Sequence, residues 1–129
     1  MGLHIDNTTG CDPLKEEPSI MRLCINLGRE DRHLLFINKT VNQMKMLVTR
    51  NGASEEIQDA DTLTGAFFRN FPDYPVAKFR QRPYDVYVMP ADNIIHDGST
   101  EGTVSPDVTM VFQGDFCRRA AKQEQFIQL

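Results

Sequence analysis

The chain has 129 residues, 40% of them hydrophobic and 25% charged, with a formal charge of −4. That is the make-up of one ordinary globular domain, too short for two and able to bury one modest core. No apolar run approaches the roughly 18 residues of a membrane-spanning helix, no apolar signal core opens the chain, and interspersed acids and bases argue against a nucleic-acid partner, which demands a basic face.

His4-Ile5-Asp6 comes first in the chain, and Asp6 stands where a myristoylation signal has Ser or Thr. Residues 7 to 19, with two prolines and several Asn, Thr and Asp, read as a loop. Met21 to Leu27 alternates and is rich in apolar side chains, a strand closed by Gly28. After a charged turn, Arg32 to Ile37 reads as a second strand, which predicts a hairpin. Thr40 with Gln43 forms a capping box, and Val41, Met44, Leu47 and Val48 share one face of a short helix stopped near Asn51-Gly52.

Asp61 or Thr62 is the expected cap of a second helix, with Leu63, Phe67 and Phe71 in register and Pro72 ending it. Tyr84 to Met89 is a strand closed by Pro90. Ile94 to His96 is a short strand followed by the turn sequence Asp97-Gly98, and Val108 to Gln113 is a further strand. Phe116 to Leu129 reads as a terminal helix capped by Asp115. The three cysteines, Cys11, Cys24 and Cys117, are widely spaced and lack a Cys-x-x-Cys pair, so reduced thiols in a cytoplasm are expected. Strands dominate both halves, which predicts a mainly β single domain over residues 1–129 with two or three short helices.

The chemistry-bearing residues are few. In an extended segment residues i and i+2 point to one side, so His4 and Asp6 would aim an imidazole and a carboxylate at one point. His96, in Asn93-Ile94-Ile95-His96-Asp97-Gly98, offers a third ligand from a neighbouring strand. Two histidines and one carboxylate are the facial set of mononuclear non-haem iron, with the opposite coordination positions open. Asp97-Gly98-Ser99-Thr100 is placed to orient the distal histidine. His33, beside Leu34, reads as a packing or surface residue. Phe67, Phe68, Phe71 and Phe79 read as core or lid packing, and Arg80-Gln81-Arg82 as a solvated turn, with the lining of a substrate mouth as the alternative.

His4-Ile5-Asp6-Asn7, a loop, then Arg22-Leu-Cys-Ile-Asn26-Leu-Gly28 resembles the iron(II)/2-oxoglutarate-dependent oxygenases, in which His-x-Asp is followed by such a strand. Tyr84 to Pro90, Asn93 to Thr100 and the strand Val108 to Gln113 extend the resemblance over most of the chain. It implies a double-stranded β-helix, a jelly-roll or cupin-like barrel with the metal at its mouth. It also implies Fe(II) held by His4, Asp6 and His96, with 2-oxoglutarate as cosubstrate. The activity implied is decarboxylation of that acid coupled to hydroxylation or oxidation of a small-molecule substrate by O2, with no catalytic side chain beyond the ligands.

Two departures stand out. Family members carry an Arg or Lys shortly beyond the distal histidine to pair with the cosubstrate's far carboxylate, whereas Ser105 to Val108 has no base and Arg118 and Arg119 lie much further on. Arg22 and Arg32 are the expected replacements, since a guanidinium matches a carboxylate bidentately. The motif also lies close to residue 1, so the chain is a minimal version, a piece of a longer protein, or one subunit of a homodimer that supports the triad. Two other readings fit the same strand pattern: a non-catalytic β-sandwich binding or structural module, and a cupin-like metal protein that does not use 2-oxoglutarate.

Overall fold

The computed structural model describes residues 2–6, 20–52, 57, 59–114 and 116. The loop expected over 7 to 19 lies outside these residues, as do Cys11, Cys117, Arg118, Arg119 and all of the expected terminal helix except Phe116. The elements run β1 (Met21–Asn26), β2 (Arg32–Thr40), α1 (Val41–Arg50), α2 (Ala60–Asn70), β3 (Ala77–Gln81), β4 (Val86–Pro90), β5 (Ile94–Ser99) and β6 (Thr109–Gly114). Among the described residues the protein is mainly β, with two helices.

The strands form two three-stranded antiparallel sheets, ordered β4-β1-β6 and β3-β2-β5. The expected hairpin between the first two strands is therefore not formed. Both edges of β1 are taken, by β4 and β6, so β2 has no edge to join and pairs with β3 and β5 instead. The buried Asn26 steers the crossing. Its carboxamide donates to the carbonyls of Glu30 (2.9 Å) and Gln81 (3.0 Å) and accepts from the Gly28 amide (2.8 Å), tying the turn to the end of β3. Among the described residues the two sheets do not close into a barrel.

Two apolar cores result. Leu34, Met89 and Ala91, with Phe36, Tyr87 and Ile94 against them, fill the space between the sheets. The larger core lies on the far side of β3-β2-β5, where Ile37 and Ile95 meet Val41, Met44 and Val48 of α1 and Leu63, Ala66 and Phe67 of α2. The α1 capping box is formed as expected, Thr40 and Gln43 bonding each other's backbone. The cap of α2 is Asp59, not Asp61 or Thr62. Its carboxylate accepts from the Thr62 amide at 2.8 Å, and the Thr62 hydroxyl lies 3.1 Å from the Asp59 amide. Phe71 ends that helix just before Pro72, with its amide on the Phe67 carbonyl.

Several strand limits differ from expectation, and one strand is new. Tyr84 sits in a turn at φ 69°, and β4 starts only at Val86. β5 runs through Asp97-Gly98 to Ser99 in place of the expected turn. β3 was not foreseen. Its sequence Ala77-Lys78-Phe79-Arg80-Gln81 offers only two apolar residues, Ala77 and Phe79, too few to announce a strand. Arg80-Gln81 consequently belongs to a strand, and Gln81 is fully buried, bonding the Cys24 carbonyl at 3.1 Å.

Candidate metal centre

The centre is built on a short antiparallel bridge. The amide of His4 donates to the His96 carbonyl and that of His96 to the His4 carbonyl, both at 2.8 Å. Side-chain direction follows from what flanks each histidine. Leu3 and Ile5 pack into the helix-side core, and Ile95 is fully buried there. Alternation then turns His4, Asp6 and His96 to the opposite side, into the gap between the sheets. A bond from the Asp6 amide to the Ala91 carbonyl, 2.9 Å, pins the end of the segment.

The three residues predicted from sequence are brought together. One ligand atom from each of His4, Asp6 and His96 lies within 4.8 Å of the other two. Asp6 Oδ1 stands 3.7 Å from His4 Nε2 and 3.7 Å from His96 Nε2, too far for a hydrogen bond to either ring. The rings lie 4.9 Å apart, tilted by 41°. His4 Nδ1 is 2.7 Å from the Gly2 carbonyl, and His96 Nδ1 is 2.9 Å from the Ile94 carbonyl. A carbonyl only accepts, so each ring places its proton on Nδ1 and leaves the Nε2 lone pair facing Asp6.

His96 Nε2 is buried with no partner among the described residues. Two lone pairs and a carboxylate oxygen thus converge with nothing positive between them, an arrangement that a divalent cation resolves. Adjacent donors on such an ion are about 3 Å apart, against 3.7 Å here for each histidine with Asp6, so the side chains would draw closer on binding it. Burial pushes His96 below the ordinary imidazole range. The bond to Ile94 and the Asp6 charge oppose that shift, and His4 and Arg22 add to it. The ring is neutral near pH 7 and needs no deprotonation before it ligates.

The two arginines expected to bind cosubstrate have different surroundings. Arg22, on β1, reaches across to Asp6, its Nη1 donating to Oδ2 at 2.6 Å. Arg32, on β2, lies over Gly98 of β5, two residues beyond His96 on the same face. A Cβ added at Gly98 would stand 2.6 Å from Arg32 Nη2. Arg32 is only 13% exposed. It meets Asp107 at 3.4 Å and Cys24 Sγ at 3.7 Å, and its buried Nε has no partner among the described residues. Beside it lies a pocket of about 10 Å³, bordered by Asn26, Thr100, Ser105 and Asp107 and large enough for one water.

Sequence reasoning missed three groups here. Tyr87 and Cys24, paired across β1 and β4, face the gap near both arginines. Burial first, then the neighbouring thiol, pushes the Tyr87 phenol well above its usual range, so it stays neutral. Asp107 lies in the very segment noted for lacking a base, and no local signal marks it as the partner of Arg32. The Ile94 carbonyl, not the Asp97-to-Thr100 stretch, orients His96. His33 lies outside the group that converges at Asp6. No helix among the described residues is long and apolar enough to cross a membrane. Comparison with family models, with curated proteins and with solved structures finds no match to this chain.

Proposed function

We propose that this chain is a non-haem iron(II) oxygenase domain that uses 2-oxoglutarate and O2 to oxidise a small-molecule substrate. One observation carries the reading: His4 Nε2, His96 Nε2 and Asp6 Oδ1 converge while both imidazole protons are committed to carbonyls on the far side. A binding module has no need of that convergence. Two further features support it. The strands form two antiparallel sheets with the histidines and Asp6 in the gap between them, an arrangement that a double-stranded β-helix would also give. Arg32 also lies where a diacid chelated beside His96 would end, since two strand residues span about 7 Å.

In this reading the two histidines give neutral nitrogen ligands and Asp6 one anionic oxygen. These residues would hold iron(II), which would supply open positions for chelation by the 2-oxo acid and for O2. Arg32 takes the cosubstrate's far carboxylate, which replaces Asp107, its present ion-pair partner at 3.4 Å. Tyr87, kept neutral, is a hydrogen-bond donor on the facing sheet. Leu34, Phe36 and Met89 exclude water from the floor of the gap.

The second reading, a cupin-like metal protein without 2-oxoglutarate, draws on the existing Arg32–Asp107 pair, which leaves Arg32 already engaged. Anaerobic titration with Fe(II) and then 2-oxoglutarate decides between them. The oxygenase reading expects one iron per chain, a weak visible charge-transfer band on adding the acid, and succinate once O2 is admitted. Iron binding without band or succinate favours the second reading. No iron binding removes both.

A further inference from the structure

Resting on the metal reading above, the geometry points to Arg22 as a positioning residue that holds Asp6 to ligation through a single oxygen. A carboxylate facing a cation can offer both its oxygens, and here it would have to break a strong bond to do so. Arg22 Nη1 holds Oδ2 at 2.6 Å, a short charge-assisted contact, while Oδ1 alone faces the two Nε2 atoms at 3.7 Å each.

The clamp comes from the opposite sheet. Arg22 sits on β1 between Met89 of β4 and Gln113 of β6, whereas the bridge carrying the histidines belongs to β5. Asp6 is only 14% exposed and Arg22 25%, so water competes weakly for the pair. Two protein nitrogens and one oxygen leave three neighbouring positions of an octahedron for outside ligands. A second oxygen from Asp6 would occupy one of them, and a bidentate acid together with O2 would no longer fit. Arg22 also adds a positive charge beside the centre, and its buried Nε has no partner among the described residues, leaving a donor for an anionic ligand.

Substituting Arg22→Met and Arg22→Lys in the full chain, with Co(II) as the probe metal and 2-oxoglutarate as the probe acid, tests the assignment. Three quantities are read under anaerobic conditions: Co(II) affinity, 2-oxoglutarate affinity of the Co(II)-loaded protein, and the splitting of the Asp carboxylate stretches in difference infrared spectra. In Arg22→Met, Co(II) affinity is expected to stay within about threefold of the wild type, 2-oxoglutarate affinity to fall about tenfold or more, and the splitting to narrow toward the two-oxygen value. Arg22→Lys, which keeps a charged donor, should recover most of both losses.

Wild-type splitting and 2-oxoglutarate affinity in Arg22→Met would overturn the assignment. So would loss of Co(II) binding by both variants while their thermal melts match the wild type, since Arg22 would then build the site as a whole. If Arg22→Met does not fold, Arg22→Lys and Arg22→Gln carry the same comparison. A wild-type chain that binds no Co(II) refutes the metal reading itself, an outcome distinct from any of these.

Discussion

Gly98 shows how one missing methyl group shapes a site. Its neighbour on the inner face is the Arg32 guanidinium, which a Cβ would meet at 2.6 Å, and that contact is with the far end of a flexible side chain. Gly98→Ala is therefore expected to displace Arg32 at small cost in stability. Metal affinity should be retained while 2-oxoglutarate affinity drops about tenfold or more, measured by titrating the Co(II)-loaded protein.

His96 yields a pH dependence. Its folded pKa is lowered by burial, whereas in the unfolded chain it keeps the ordinary value near 6.5. As pH falls from that value toward the folded pKa, the unfolded chain takes up a proton that the folded one refuses, so stability declines; above it, stability is fully present. The metal-free protein should thus melt at lower temperature at pH 5 than at pH 7.5, and His96→Gln should flatten that part of the profile. An unchanged slope in the variant would assign the acid sensitivity elsewhere. The pairing of His4 with Asp6 was legible because alternation is a local rule. The ties Arg22–Asp6 and Arg32–Gly98 were not, because each crosses between strands that only the folded chain brings together.

At the scale of elements, local signals served the helices better than the strands. Thr40 and Gln43 announce α1 because a capping box closes within one turn. Thr40→Ala should cost about 1 kcal/mol, read from denaturant unfolding. Phe67 is fully buried and touches the rings of Phe68, Phe71 and Tyr74. Phe67→Ala should cost about 3–5 kcal/mol. Because Ile95 and Ile5 pack in the same core, it should also loosen the segments that carry His96 and Asp6 and weaken Co(II) binding. A variant destabilised by that much but with wild-type Co(II) affinity would uncouple the helix-side core from the centre. The strands were read well where three or more apolar residues mark them, as in β1 and β6, and missed where only two stand among polar ones, as in β3. The expected hairpin failed because strand pairing depends on which edges are free, and no sequence signal records that β4 and β6 already occupy both sides of β1.

Across the whole molecule, the two sheets are covered unequally. Helices α1 and α2 cover the outer face of β3-β2-β5 around Ile37 and Ile95. The outer face of β4-β1-β6 has no such cover among the described residues: Val86, Val88, Met110 and Phe112 are 44–49% exposed, and Leu23 and Ile25 lie between them. Contiguous apolar surface of this kind drives association or aggregation. Val88→Lys combined with Phe112→Lys should raise the solubility limit and reduce concentration-dependent association in sedimentation velocity. Co(II) affinity should be unchanged, because these side chains point away from the gap that holds Asp6 and the histidines.

The sequence by itself determined the mainly β character, the site of α1, the strands β1 and β6, and the identity of three residues able to share a cation, since all of these follow from periodicity and spacing along a few neighbouring residues. Only the tertiary structure decided that β1 and β2 part company, that Arg22 answers to Asp6 while Arg32 lies over Gly98, and that His96 meets His4 across a bridge. Those outcomes depend on edge occupancy and on burial between two sheets, long-range quantities that no local stretch of chain contains.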